Sequence, residues 1–173
     1  MEIEAVADAW YVWIGVAVVS VGIAGIVLSL PTQPPPDASG AANTAERVAA
    51  SEYGTSAVTE HDATDARIGT RQISLRNDGG TDHASVAFAS LTPVDRAEGK
   101  TRDAAEALLS GETPAQFVAE DHRFDSEVEL SDAFRELRLE VDQQGSHWQR
   151  THGTLRLRSV RIAGETVVLI ESR

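Results

Sequence analysis

One stretch constrains this chain more than any other. Ala9–Leu30 reads AWYVWIGVAVVSVGIAGIVLSL, 22 residues without a charge. At about 1.5 Å per residue, a helix of that length spans the roughly 30 Å hydrocarbon core of a bilayer. A buried helix of a water-soluble fold would need a partner sheet far larger than the rest of the chain provides. A secretory signal would begin with basic residues, hold a shorter apolar run and end in a small-x-small site. Here Glu2, Glu4 and Asp8 make the start acidic, and the run closes on Ser29-Leu30-Pro31. The stretch therefore reads as a retained transmembrane helix. Three segments are expected: residues 1–30, tail and transmembrane helix; 31–43, a proline-rich linker; and 44–173, an acidic domain.

Trp10, Tyr11 and Trp13 cluster at the N-terminal end of the run, where their amphipathic rings suit a membrane–water interface. The lipid bilayer is thus the first expected partner. Gly15, Gly22 and Ser29 recur at seven-residue spacing with Gly25 nearby, a stripe of small residues that lets a second helix approach closely. Self-association or docking into a larger membrane complex would use it, although glycine is also common in membrane helices generally. Orientation follows Lys and Arg within about 15–20 residues of the helix ends. Only Arg47 falls near that window. The globular domain is expected outside the cell membrane, by likeness to surface proteins with one N-terminal anchor.

Acidic residues outnumber basic ones 27 to 15, for a net charge of −12, and residues 1–30 account for three of those negative charges. The remaining domain repels nucleic acid and anionic lipid head groups, so neither is an expected partner. Lys100 is the only lysine; the other fourteen basic residues are arginines. Abundant Asp, Glu, Ala, Thr and Val with almost no lysine is a pattern associated with salt-loving archaea, where hydrated acidic surfaces stay soluble. An ordinary acidic domain is the competing reading. The absence of cysteine excludes disulfides, thiolate catalysis and cysteine zinc sites.

Pro31 and Pro34–Pro36 end the membrane helix and start a stiff spacer, with Asp37–Gly40 as flexible punctuation. Asn43 or Thr44 can cap a short helix over 45–51, anchored by Val48, that ends near Tyr53-Gly54. Strands are expected over 56–61 and 67–76, the second followed by the turn Asn77-Asp78-Gly79-Gly80 and a return over 83–91 that alternates Val86 and Phe88. Thr101 can cap a helix over 102–109, and Pro114 can begin another through about Glu120, with Phe117 and Val118 toward the core. Residues 126–130 read as short and extended. Leu137, Leu139 and Val141 alternate as in a half-buried strand, while Phe134, Leu137 and Val141 also fit a helix through Gln144; the strand is preferred. The last hairpin joins 154–162, with a bulge expected at Ser159-Val160, to 165–171 through Ala163-Gly164. Its apolar run Val167–Ile170 marks a central strand buried on both faces. The fold class is α+β: the transmembrane helix plus an antiparallel sheet of five to six strands with two or three short helices.

No catalytic signature is present. Gly-x-Ser-x-Gly, a phosphate-binding glycine loop and His-Glu-x-x-His are all missing. Of the five histidines, His61, His83, His122, His147 and His152, only His147 and His152 are close in sequence, and their spacing matches no helix-face pair. Glu127 and Glu129 could share one face and hold a weak cation, but a cage of oxygens is lacking. No catalytic, cofactor or metal residues are therefore expected. Arg156, Arg158 and Arg161 form one local basic patch, expected to pair internally with acids such as Glu140 or Glu165 rather than to dock an acidic partner.

The stretches DAWYVWIGVAV, LPTQPPPDASGAANT, SEYGTSAVTEHDA, RNDGGTDHASVAFASLTPV and GTLRLRSVRIAGETVVLIE together resemble an uncharacterised family of haloarchaeal membrane proteins, classified only as a domain of unknown function. The resemblance covers nearly the whole chain and implies no catalytic residue, cofactor or substrate. In outline the chain is also similar to type IV pilin-like proteins, with an N-terminal apolar helix and a small sheet-rich head. Pilin precursors carry a basic segment before the apolar run; the acidic segment here implies an unprocessed accessory subunit instead. The expected function is a non-enzymatic, single-pass component of a pilus-like or secretion complex. A surface sensor or ligand-binding module and a membrane-anchored enzyme are the alternatives.

Overall fold

The computed structural model describes residues 3–28, 33–51, 54–121 and 123–173. The chain divides into two compact units, Met1–Gln33 and Pro34–Arg173. The first is helix α1, Ile3–Leu28. Its segment Trp10–Leu28 is long and apolar enough to cross a membrane, and none of it is buried. Ser29, the helix end at Leu30-Pro31 and Tyr53 lie outside the described residues.

The second unit starts within the proline run. Pro36 is buried. The Asn77 side-chain amide donates to the Pro34 carbonyl (3.0 Å), and the Ala38 N–H donates to the Asp82 carboxylate (3.0 Å). Helix α2, Ala38–Ala49, begins seven residues before the expected start at Ala45. Its cap is Asp37, whose carboxylate accepts from the Gly40 N–H at 2.8 Å, so Asp37–Gly40 is a cap and first turn rather than a flexible segment. A Cβ at Gly40 would lie 2.5 Å from that carboxylate, which is why the turn holds a glycine. Thr44 is interior and donates its hydroxyl to the Gly40 carbonyl (2.9 Å). The buried side of α2 is Ala38, Ala41, Ala42, Ala45 and Val48. Such small side chains let the helix pack closely against strands of both sheets.

Among the described residues, eight strands follow: β1 (Ser56–Glu60), β2 (Asp65–Ile68), β3 (Gln72–Asn77), β4 (Gly80–Ser85), β5 (Leu91–Pro93), β6 (Gln149–Arg150), β7 (Thr154–Ile162) and β8 (Glu165–Ser172). A 3₁₀ turn (Val94–Arg96) leads to helices α3 (Gly99–Ser110), α4 (Pro114–Asp121) and α5 (Glu127–Gln144). The class is α+β, but the strands make two four-stranded sheets, ordered β1-β7-β8-β5 and β4-β3-β2-β6, where one sheet of five to six was expected. All pairings are antiparallel except β5 with β8.

Several local expectations are corrected. Residues 67–76 are not one strand: β2 ends at Ile68, the chain turns with the Gly69 N–H donating to the Gln72 carbonyl (2.8 Å), and β3 returns. The return strand stops at Ser85, after which Val86 is buried and Phe88 is 89% exposed. Helix α3 starts at Gly99, so Thr101 is not its cap. Residues 126–130 are not extended. Ser126 caps α5, accepting from the Glu129 N–H, and the helical reading of 134–144 holds in place of the preferred strand. Leu130, Phe134, Leu137 and Val141 form its buried stripe, whereas Leu139 is 53% exposed. No bulge interrupts β7. Its register with β8 runs unbroken from Leu155↔Ser172 to Ile162↔Glu165.

The phase change in β7 comes from a switch of partner face. Leu155 and Leu157, with Val168 and Ile170 of β8, face α2 and the second sheet. Val160 and Ile162, with Val167 and Leu169, face α3, α4 and α5. The β1-β7-β8-β5 sheet is thus a middle layer between two cores. The hairpin closes on Ala163 (φ 49°) and Gly164 (φ 88°), both left-handed as a type I′ turn requires.

Two outcomes check this architecture in urea unfolding. Leu137→Ala should cost about 2–5 kcal/mol, while Leu139→Ala should stay within about 0.5 kcal/mol. A strand through both residues would make the costs similar. Ala163→Asn should raise stability by up to about 1 kcal/mol, because alanine is strained where Asn is not.

Candidate functional site

The small residues expected to form a helix contact lie along α1. A Cβ built at Gly15, Gly22 or Gly25 meets nothing within 4 Å, so the backbone there is open to an approaching helix. Trp10, Tyr11 and Trp13 are exposed near the helix start.

The domain does not bring its histidines together. His61 is half-buried at the end of β1, where Nδ1 accepts from the Ala63 N–H (3.2 Å) and Nε2 lies 3.5 Å from the Thr151 hydroxyl. Burial lowers its pKa below the ordinary histidine value, against the opposing charge of Asp62. His83 lies exposed on β4, His147 and His152 lie exposed on either side of β6, and His122 is outside the described residues. Among the described residues, no group of three or more His, Asp or Glu side chains could share a metal ion. Glu127 and Glu129 diverge because they sit two apart on a helix. Glu129 pairs with Lys100 (2.7 Å), and Glu127 accepts from the Ala163 N–H (3.2 Å).

The Arg156/Arg158/Arg161 patch pairs internally, but not with Glu140 or Glu165. Arg156 stands opposite Glu171 in the β7–β8 register and reaches its carboxylate at 3.3 Å. Its other amine donates to the Leu109 carbonyl (3.4 Å), while Arg158 donates to the carbonyls of Leu108 and of Gly111 (3.0 Å). Two guanidinium groups thus satisfy the carbonyls that the end of α3 leaves free, where the helix dipole favours a cation. Arg161 donates to the Gly164 carbonyl (3.4 Å). Glu171 is buried and also binds Arg173 (2.9 Å). Beside it, Asp95 accepts from the Ser172 N–H (3.0 Å). Burial raises the Asp95 pKa above the usual carboxylate range, and the nearby Glu171 charge adds to the rise.

Two surface features stand out. A groove of about 400 Å³ runs between the start of α3 and α5, floored by Ala97, Phe124 and Leu137 and rimmed by Glu98, Glu136 and Glu140. The other is the outward face of the β4-β3-β2-β6 sheet. Strand alternation puts Arg67, Arg76 and Arg150 there, with Asp65 as the one carboxylate from these strands. The Arg67 and Arg76 guanidinium carbons lie 4.9 and 4.5 Å from the centre of the Trp148 ring. Asp65 is taken up by Arg76 (3.2 Å). Arg67 has only a 3.5 Å contact to the Ser74 hydroxyl, and its Nε is buried without a partner. Among the described residues, no carboxylate lies within ion-pair distance of Arg67 or Arg150. Sequence reasoning missed this cluster. Its signal was Trp148, the one tryptophan outside the apolar stretch.

A family of unknown function, DUF7283, matches residues 4–160, which take in α1 and most of the domain. The chain belongs to that family. No curated protein and no solved structure matches it. The DUF7283 description carries no activity, so the site rests on the geometry above.

The Asp95 shift has a definite sign. Its folded pKa lies above its unfolded one, so its contribution to stability is greatest below the unfolded pKa and is lost as pH rises through the folded one. Asp95→Asn keeps an acceptor for the Ser172 N–H and removes that loss. The gain of the variant over the parent in urea unfolding should therefore grow as pH rises from about 4 to 7. A variant gain that shrinks over this range would show that Asp95 is held mainly by Arg102 and Arg173.

Proposed function

We propose that this DUF7283 chain is a single-pass, membrane-anchored interaction component of a cell-envelope complex, pilus-like or secretory, in a halophilic archaeon, with no catalysis of its own. The observation that carries the reading is α1: the 19 residues Trp10–Leu28 form an apolar helix of which nothing is buried. Such a surface calls for lipid or another helix. The acidic residues Glu2, Glu4 and Asp8 ahead of the apolar run, and its close on Ser29-Leu30-Pro31, support a retained anchor. The lysine-poor, acidic composition supports the halophilic origin. The order of apolar helix and sheet-rich head supports likeness to an unprocessed pilin-like accessory subunit. In this reading the domain stands on the outer side of the membrane, and the Gly15/Gly22 face meets a partner helix. The groove between α3 and α5 favours a second reading, a surface sensor or ligand-binding module.

The test is made in native membranes. Val18 stands three residues after Gly15 and four before Gly22, on the same helix face. A photo-reactive residue replacing Val18 is expected to trap a second copy or another membrane protein, and Gly22→Leu is expected to cut the yield several-fold. A chain that stays monomeric and untrapped would sink the reading.

A further inference from the structure

We propose that the outward face of the β4-β3-β2-β6 sheet docks the acidic groove beside α5 of a second copy of this chain, in a head-to-tail contact. The proposal rests on the reading of the chain as an assembly component, and it adds the surface through which the domains meet.

The first argument is chemical. Arg67 is a half-buried cation whose Nε has no partner and whose one polar neighbour is a hydroxyl at 3.5 Å. Arg150 is exposed and faces no carboxylate of its own domain within ion-pair distance. Trp148 holds the Arg67 and Arg76 guanidiniums in stacked positions, which lowers the cost of ordering them against a partner. The β4 side of the face, Thr81, His83 and Ser85, is exposed and carries no carboxylate, so no side chain there repels an acidic partner.

The second argument is placement. The groove beside α5 holds two cations, Arg96 and Lys100, but acids outnumber them, and Glu98, Glu136 and Glu140 are exposed and in no ion pair among the described residues. Lys100 covers the Phe124 ring (4.3 Å) and pairs with Glu129, so the open apolar floor is Ala97 and Leu137, where a partner side chain stem can be covered while its charge meets the rim. The basic sheet and α5 pack on opposite faces of the β1-β7-β8-β5 layer. Each domain therefore presents a cationic side and an anionic side, and copies can stack with unlike surfaces in contact. Such a heterologous contact leaves both ends open for further copies. Anchors in one bilayer raise the effective concentration, so a weak contact suffices.

The chain holds no cysteine, so single cysteines report cleanly. Two full-length variants, Thr81→Cys on the basic sheet and Leu139→Cys on α5, are reconstituted together in vesicles and treated with a short bis-maleimide. The expected product is a crosslink between the two variants, with little crosslinking when either is present alone. Arg150→Glu, at an exposed position, and Glu136→Lys, on the opposite surface, should each lower the mixed crosslink about tenfold. No mixed crosslink would overturn the proposal, as would a mixed crosslink that neither charge reversal changes. Dominant self-crosslinking of Thr81→Cys would also overturn it, since the face would then be a two-fold interface. Gly22→Leu separates the two readings. Loss of the crosslink with Gly22→Leu but not with Arg150→Glu leaves the α1 contact standing and removes this one; the reverse pattern does the opposite.

Discussion

The domain depends on one hairpin whose residues alternate between two cores. Val168 and Ile170 of β8 point to α2 and the second sheet, while Val167 and Leu169 point to α3, α4 and α5. With apolar side chains alternating on both sides, β8 cannot be an edge or a surface strand, and everything else must be stacked on one side or the other. The tight turn at Ala163-Gly164 sets the β7 register, and that register decides which β7 residues enter which core. A slip of one residue would send Leu155 and Leu157 to the helix side and Val160 and Ile162 to the α2 side, emptying part of each core.

The same register places charge. Because Arg156 stands opposite Glu171, a buried carboxylate gains a guanidinium across the hairpin, and Arg173 provides a second. Arg158, two residues further along the same face, reaches the end of α3. A basic alternation that looks like a docking patch in the linear sequence is in fact the means by which a helix end is closed against a sheet. The half-buried Asp95 is tolerated nearby because the Ser172 N–H answers it.

The legible parts of the fold were those with short-range causes. The Asn77–Gly80 turn, the β7–β8 hairpin and the central position of β8 follow from turn chemistry and an unbroken apolar run. The start of α2 did not, because its packing face is alanine, which hydropathy patterning hardly registers. The α5 segment was misread because Leu137 and Val141 satisfy two periods at once, with Leu139 completing the strand alternation and Phe134 the helical stripe. What decides is the Ser126 cap and the longer stripe from Leu130, seen only when the window extends upstream. The second sheet was hidden because β2 and β3 run together with no strong turn signal beyond Gly69. Of the candidate site, the α1 residues were legible as a pattern. The cluster at Trp148 was not, because β2, β3 and the segment before β6 are brought together only by tertiary pairing.

Net charge describes the chain as a whole, but the distribution of its arginines says more. Arg102, Arg123 and Arg135 pair with acids on the helix side, and Arg156 and Arg158 close α3. Arg67, Arg76 and Arg150 are what the outer sheet retains, against a single carboxylate. Lysine would not serve in those first two positions. A guanidinium is planar, stacks on an indole and tolerates partial burial, whereas an ammonium is more strongly hydrated and would keep its head in water. The near absence of lysine therefore has a structural counterpart. At Arg67 and Arg76 the outer sheet keeps its positive charge in groups that are half-buried and stacked on Trp148, so these side chains have less rotamer freedom left to lose in any further contact.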